Sequence, residues 1–266
     1  MIYFDCDGLH MSAIWHCFGN YMHRVDLGEV LAMLEASGTN VVPVNTHELD
    51  SRKRPEDLRI GFGSVTYAAL AAAHDLSRYI MMANINHQTS ADAAVEKTLF
   101  AVEMTGIPTI KLEVLSDSLS TSNDSALIEA VRTLRERRPD LRIMPLLSND
   151  PAVAKELVDA GCPLLRVMGG PIGSGSGIAD EDAFERCCDL GVPVVLDGGI
   201  GSVEDYLTAR RLGAVGCLVN SMLFERGVPP SRVLRDFVEE ALGEPAASDA
   251  SSGQPSRPLG VARAAE

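Results

Sequence analysis

Short apolar runs alternate with amphipathic stretches along most of this chain. Eight runs stand out: Ser12–Cys17, Asn40–Asn45, Tyr79–Asn84, Pro108–Val114, Leu141–Leu147, Leu164–Met168, Pro193–Asp197 and Val215–Asn220. Their length and aliphatic content suit buried β-strands. The stretches between them carry helix start and stop signals. Leu27–Ser37 is closed by Gly38, and Ser90–Thr105 runs from a capping serine to Gly106. Ser125–Arg137, Ala152–Ala160 before Gly161, and Ser202–Leu212 before Gly213 read the same way. Repeated strand–helix alternation predicts parallel strands. Eight such units in about 240 residues predict an α/β chain folded as a (β/α)8 TIM barrel. A doubly wound open sheet is the competitor; it would carry a glycine-rich loop after its first strand, and none is present. One catalytic domain is therefore expected over residues 1–242. From Gly243 to Glu266 the chain is rich in Ala, Ser, Pro and Gly, with no periodic apolar face, which predicts a disordered tail. Ser51–Gly63 mixes charge, proline and glycine and is expected as a surface loop over the barrel mouth.

Composition narrows the function classes. With 266 residues and 46% hydrophobic content the chain can bury a full core. Its formal charge of −14 argues against nucleic acid as a partner. There is no apolar run of about 18 residues and no signal-peptide pattern, so a cytoplasmic protein without a membrane span is expected. Cys6, Cys17, Cys162, Cys187, Cys188 and Cys217 form no CxxC pair. They read as reduced, buried thiols and not as a disulfide frame or zinc site. Neither a metal nor a cofactor is expected.

The candidate chemistry starts at Thr109-Ile110-Lys111-Leu112-Glu113-Val114. Strand alternation puts Ile110, Leu112 and Val114 on one face and Thr109, Lys111 and Glu113 on the other. A lysine facing a barrel interior loses hydration, which is costly unless the site uses it. Desolvation lowers a lysine's pKa and frees the amine to attack a carbonyl. The alternative is an inward Lys111–Glu113 ion pair that only fills the barrel, although buried pairs are poor stabilisers. Asp197 ends the seventh run. It is either a cap for the helix after it or an acid–base group for Schiff-base chemistry.

Barrel sites lie at the C-terminal ends of the strands. Asn45-Thr46-His47-Glu48, Asn84-Ile85-Asn86-His87 and Ser148-Asn149-Asp150 end three of them. Glycine loops follow the sixth and seventh runs, and Asn220-Ser221 ends the eighth. Backbone N–H groups converging in such loops would hold a phosphate; the alternative is that the glycines only make tight turns. His47, Asn84 and His87 are candidate substrate contacts, or loop hydrogen-bonders.

Together these residues resemble the thiazole synthases of thiamin biosynthesis. The matching pieces are Ile110-Lys111-Leu112-Glu113-Val114, Met144-Pro145 with Asp150-Pro151, Pro171-Ile172-Gly173-Ser174-Gly175, Val194 to Gly201, and Leu218-Val219-Asn220-Ser221. The resemblance spans roughly residues 12–225. It implies the barrel fold and an imine between Lys111 and a sugar phosphate. It also implies that Glu113 and Asp197 are acid–base groups and that Gly173, Gly198, Gly199, Asn220 and Ser221 contact the phosphate. A small ubiquitin-like sulfur-carrier protein with a C-terminal thiocarboxylate is the implied sulfur donor, and a homo-oligomer is implied as well.

The chain departs from the family pattern at the mouth. Cys17-Phe18-Gly19-Asn20 stands where Gly-Thr-Gly-Lys is usual, Thr46-His47-Glu48 where basic residues are usual, and Asn86-His87-Gln88 where small ones are. The Val167–Gly170 loop is shorter than the family's. Retained core chemistry with an altered mouth favours the family's 2-thiosugar synthase branch, which acts on glucose 6-phosphate. An ordinary thiazole synthase acting on 1-deoxyxylulose 5-phosphate is the alternative. A class I aldolase-like lyase and a non-catalytic sugar-phosphate binding protein are the rivals from other classes.

Overall fold

The computed structural model describes residues 2–20, 22–49, 54–224 and 227–243. The stretch expected as a disordered tail lies outside them, apart from Gly243. The chain opens with a hairpin, β1 (Tyr3–Cys6) paired antiparallel with β2 (Leu9–Ser12). Asp7 and Gly8 make the turn, both at positive φ, as an Asp-Gly hairpin turn requires. This hairpin adds two strands to the eight that periodicity predicts.

The barrel elements follow: β3 (Ile14–Trp15), α1 (Leu27–Ser37), β4 (Val41–Asn45), β5 (Arg59–Ile60), α2 (Tyr67–Ala73), β6 (Ile80–Gln88), α3 (Ala91–Thr105), β7 (Thr109–Val114), α4 (Asp124–Arg137), β8 (Arg142–Leu147), α5 (Pro151–Asp159), β9 (Leu165–Val167), α6 (Glu181–Cys188), β10 (Val194–Asp197), α7 (Val203–Arg211), β11 (Gly216–Leu218) and α8 (Pro230–Gly243). Ser90 caps the start of α3 as expected, and Gly38 and Gly106 end α1 and α3 in the left-handed conformation; Ser202 caps α7. Helices α2, α6 and α8 go beyond those the pattern predicts. The first two are short, at seven and eight residues. No helix among the described residues is long and apolar enough to cross a membrane.

The sheet runs β3-β11-β10-β9-β8-β7-β6-β4 with every neighbour parallel, and β5 lies antiparallel beside β4. Sequential order excludes the doubly wound sheet, which needs a reversal of strand order. Helix α8 packs on α1 and α7, so the last helix meets the first. Among the described residues no ladder joins β3 directly to β4. The segment after β5 bridges them: Gly61 N–H donates to Pro43 O at 2.7 Å and Phe62 N–H to Cys17 O at 2.9 Å. A Cβ on Gly61 would lie 1.9 Å from Cys17 O, so only glycine fits this wedge. The stretch expected as a loop over the mouth is therefore partly a seam of the barrel, with Leu58 and Ile60 buried. Residues 51–53 of it lie outside the described ones.

Alternation along the strands fills the barrel in layers. Trp15, Val41, Met82, Met144, Leu164 and Val195 form an apolar plug, and Cys6 and Met11 of the hairpin pack against it from the N-terminal end. Above the plug, toward the C-terminal ends of the strands, the inward side chains turn polar. That change of layer positions the site.

Candidate active site

Every residue of β7 is buried. Ile110, Leu112 and Val114 pack into the core beneath the helices, leaving Lys111 and Glu113 to the barrel interior at 3% and 6% exposure. Lys111 Nζ donates to Glu113 Oε1. The same oxygen accepts from Arg166 Nη2 at 2.8 Å, and Arg166 Nε donates to Asp197 Oδ2 at 2.7 Å. Arg166 Nη1 reaches Met144 O at 3.3 Å. One row, Lys111–Glu113–Arg166–Asp197, thus crosses β7, β9 and β10, with two cations balancing two carboxylates.

Arg166 was not among the residues expected at the site. Its signal was present: a basic residue inside Leu164-Leu165-Arg166-Val167-Met168 obeys the same logic as Lys111. It is fully buried at 0% exposure. Burial alone would raise the Glu113 carboxyl, but the charges of Lys111 and Arg166 and their hydrogen bonds outweigh it and hold the group at about 2. Asp197 does not cap α7. Ser202 does so, in a reciprocal capping box with Asp205.

A cavity of about 340 Å3 opens above this row at the C-terminal ends of the strands, the scale of a small-molecule site. Lys111, Glu113 and Asp197 line it, as do Gly173, Gly198, Gly199, Asn220 and Ser221. Several of these also have structural duties. A Cβ on Gly199 would lie 2.5 Å from Gly177 O, and one on Gly198 2.9 Å from Gly170 O. The glycine loops after β9 and β10 therefore pack directly on each other. Asn220 Oδ1 accepts from Cys17 N–H at 3.3 Å, and its Nδ2 donates to Gly19 O at 3.0 Å. It ties the end of β11 to the end of β3. Gly173, Ser174, Gly175 and Ser221 also border an adjoining cavity of about 240 Å3 without a charged side chain in its wall.

The three candidate contacts separate. His87 lines the main cavity. His47 is exposed and meets the His87 ring edge-on, with centroids 4.9 Å apart. Asn84 is wholly buried and stands opposite Lys111 in the β6–β7 register. Neither polar atom of its side chain has a hydrogen-bond partner among the described residues. Cys17, expected only as a buried thiol, forms part of the cavity wall. Burial pushes its thiol up to about 11, with Lys111 pulling it down and Asp197 and Glu113 raising it, so it is no thiolate at neutral pH. Among the described residues no group of three or more His, Cys, Asp or Glu side chains is placed to hold a metal ion.

The family model for thiazole biosynthesis protein ThiG matches residues 25–234. The thiazole synthase of Geobacter metallireducens is 29% identical over 195 residues, covering 73% of this chain and 70% of that one. That of Myxococcus xanthus is 31% identical over 191 residues, covering 71% and 68%. Among solved structures, the BexX/CysO complex of Amycolatopsis orientalis matches with a TM-score of 0.74 at 26% identity, over 93% of this chain and 98% of that one. Thiamine phosphate pyrophosphorylase of Pyrococcus furiosus shares the fold, with a TM-score of 0.55 at 16% identity over 87% and 98%.

Proposed function

The chain belongs to the thiazole biosynthesis protein ThiG family, and from that premise we propose that Lys111 forms a Schiff base with a sugar phosphate, which then takes sulfur from the thiocarboxylate of a carrier protein. The observation that carries this reading is the placement of Lys111. It is a buried amine at the floor of a mouth cavity, bounded on one side by carboxylates and on another by glycine loops.

The roles divide by position. Lys111 attacks the open-chain carbonyl, and water leaves to give the iminium. Glu113 and Asp197, ion-paired with Arg166, offset its charge beside the reacting carbons. Preorganised charge of this kind is a large term in catalysis. The phosphate sits against the loops at Gly173, Gly198, Gly199 and Ser221, with Asn220 keeping that wall closed against β3. Covalent attachment holds the intermediate, now an aminoketone, for a nucleophile that arrives on another protein. The likeness to a protein crystallised as a complex with a second protein, CysO, supports a protein partner. The altered residues around the mouth, Cys17-Phe18-Gly19-Asn20 and Asn86-His87-Gln88, favour glucose 6-phosphate and a 2-thiosugar phosphate product.

Intact mass after incubation with a sugar phosphate and borohydride tests this reading. Glucose 6-phosphate is expected to leave a covalent adduct. An adduct with 1-deoxyxylulose 5-phosphate alone would select the thiazole synthase alternative, and no adduct with any sugar phosphate would sink the Schiff-base reading.

Asn84 gives a second measurable consequence. Its buried amide lacks a partner among the described residues, which costs about 1–3 kcal/mol, and it stands beside the amine. We assign it to a substrate oxygen at the reacting end. Asn84→Leu, similar in volume, is expected to raise the melting temperature by about 2–4 °C and to lower turnover by roughly 10²-fold. Thermal melts and product formation report both. Undiminished turnover in the stabilised variant would remove Asn84 from the site.

A further inference from the structure

Strand β6 breaks its own alternation at the barrel mouth. Ala83 stands opposite Ile110, Asn84 opposite Lys111 and Ile85 opposite Leu112 of β7; the register then shifts, and Gln88 stands opposite Val114. Asn86 and His87 share the place opposite Glu113. Two residues against one make a β-bulge, a device that re-aims side chains. In an unbroken strand Asn84 and Asn86 would face the barrel, while Ile85 and His87 would face the helices. Instead His87 takes φ 61, the left-handed region that a non-glycine residue enters only when its surroundings impose it. The imidazole consequently lines the cavity that contains Lys111 and Glu113.

The ring is held from several sides. The Asn86 amide nitrogen lies 3.0 Å from His87 Nδ1. His47 meets the ring edge-on, and Phe62 tilts against it with centroids 6.4 Å apart. Glu113 and Lys111 are the charged groups facing it from β7, and His47 is the titratable one from the end of β4. Partial burial lowers the His87 pKa, and Glu113 draws it back up, so the ring is a neutral proton acceptor near pH 7. Glu113, by contrast, is committed to Lys111 and Arg166, and Asp197 to Arg166.

We propose that His87 is the proton-transfer catalyst of this site: it removes a proton from the carbon next to the Lys111 iminium carbon and returns it to the iminium carbon. This rests on the Schiff-base reading. The C–H bond breaks, its electron pair becomes the carbon–carbon double bond of an enaminol, and the iminium C=N pair moves onto nitrogen. The imidazolium then protonates the former iminium carbon. The neighbouring hydroxyl loses its proton to water and becomes the ketone. One carbon is oxidised and its neighbour reduced, so no outside oxidant or reductant is needed.

The test uses His87→Asn, because asparagine tolerates the left-handed backbone, with His87→Gln as a second variant. Each protein is incubated in D2O with the sugar phosphate that forms an adduct with the wild type. Deuterium entering the carbon next to the carbonyl is followed by mass spectrometry. Exchange is expected to slow by about 10²-fold or more in both variants, while the borohydride-trapped Lys111 adduct still accumulates. Exchange within threefold of wild type in either adduct-forming variant overturns the proposal alone. Absence of adduct from both folded variants also overturns it, because His87 would then act before the imine. Absence of adduct from the wild type overturns the Schiff-base reading and this proposal together.

Discussion

Arg166→Met is expected to lower the unfolding free energy by about 3–5 kcal/mol at neutral pH. Arg166 is wholly buried and hydrogen-bonds to both Glu113 and Asp197. Its removal strands two carboxylates inside the barrel with Lys111 as their one remaining cation in the row. Urea denaturation at constant slope measures the loss. The pH dependence gives a second signature. In the wild type Glu113 titrates at about 2 in place of its ordinary 4.5. Its folded-state value is depressed, so it adds stability above the ordinary value, roughly 3 kcal/mol for a shift of that size. That contribution fades as pH falls from about 4.5 toward about 2. Without Arg166 the depression shrinks and acid unfolding begins at higher pH. Adding Asp197→Asn to the variant removes the carboxylate that lost Arg166, while Glu113 keeps Lys111, and should recover part of the stability, which a double-mutant cycle quantifies. A loss below about 1 kcal/mol would place the row in contact with water and void the buried-network account.

Lys111→Met has the larger effect on chemistry. It is expected to abolish the adduct and to reduce turnover by roughly 10³–10⁶-fold. Stability should suffer less than in Arg166→Met, because Glu113 keeps its bond to Arg166. Lys111→Arg separates the two possible duties of the residue. It preserves the positive charge beside Glu113, yet a guanidinium stays protonated and forms no imine. A folded, stable and inert Lys111→Arg is the expected outcome. Intact mass and product formation read the result. Turnover surviving in either variant would reduce Lys111 to an ion-pair partner.

Much of this molecule is visible one segment at a time. Strand–helix alternation yields the barrel because its period and its glycine stops are local. Lys111 and Glu113 share a face because they are two residues apart in a strand. Arg166 was equally visible as a charge within an apolar run, but nothing local says what it meets. His87 defeats alternation itself, since its position predicts the helix side and the bulge turns it inward. The glycines after β9 and β10 read as a phosphate cradle, yet their missing Cβ atoms are also required by loop packing that no local pattern foretells.

The amino-acid sequence by itself determined the order of the strands, the helix ends, the barrel arithmetic and the inward Lys111–Glu113 pair, because each depends on spacings of a few residues. The tertiary structure alone decided the rest. Pairing of β9 with β10 brought Arg166 to Asp197 across 31 residues, and curvature of the sheet over β8 brought it to Glu113 across 53. Pairing of β11 with β3 tied Asn220 to Cys17 across 203, and the hairpin came to pack beneath the apolar plug. Register against β7, not the pattern of β6, gave His87 its place. These are contacts between distant segments, and they arise when a curved sheet fixes which strands become neighbours.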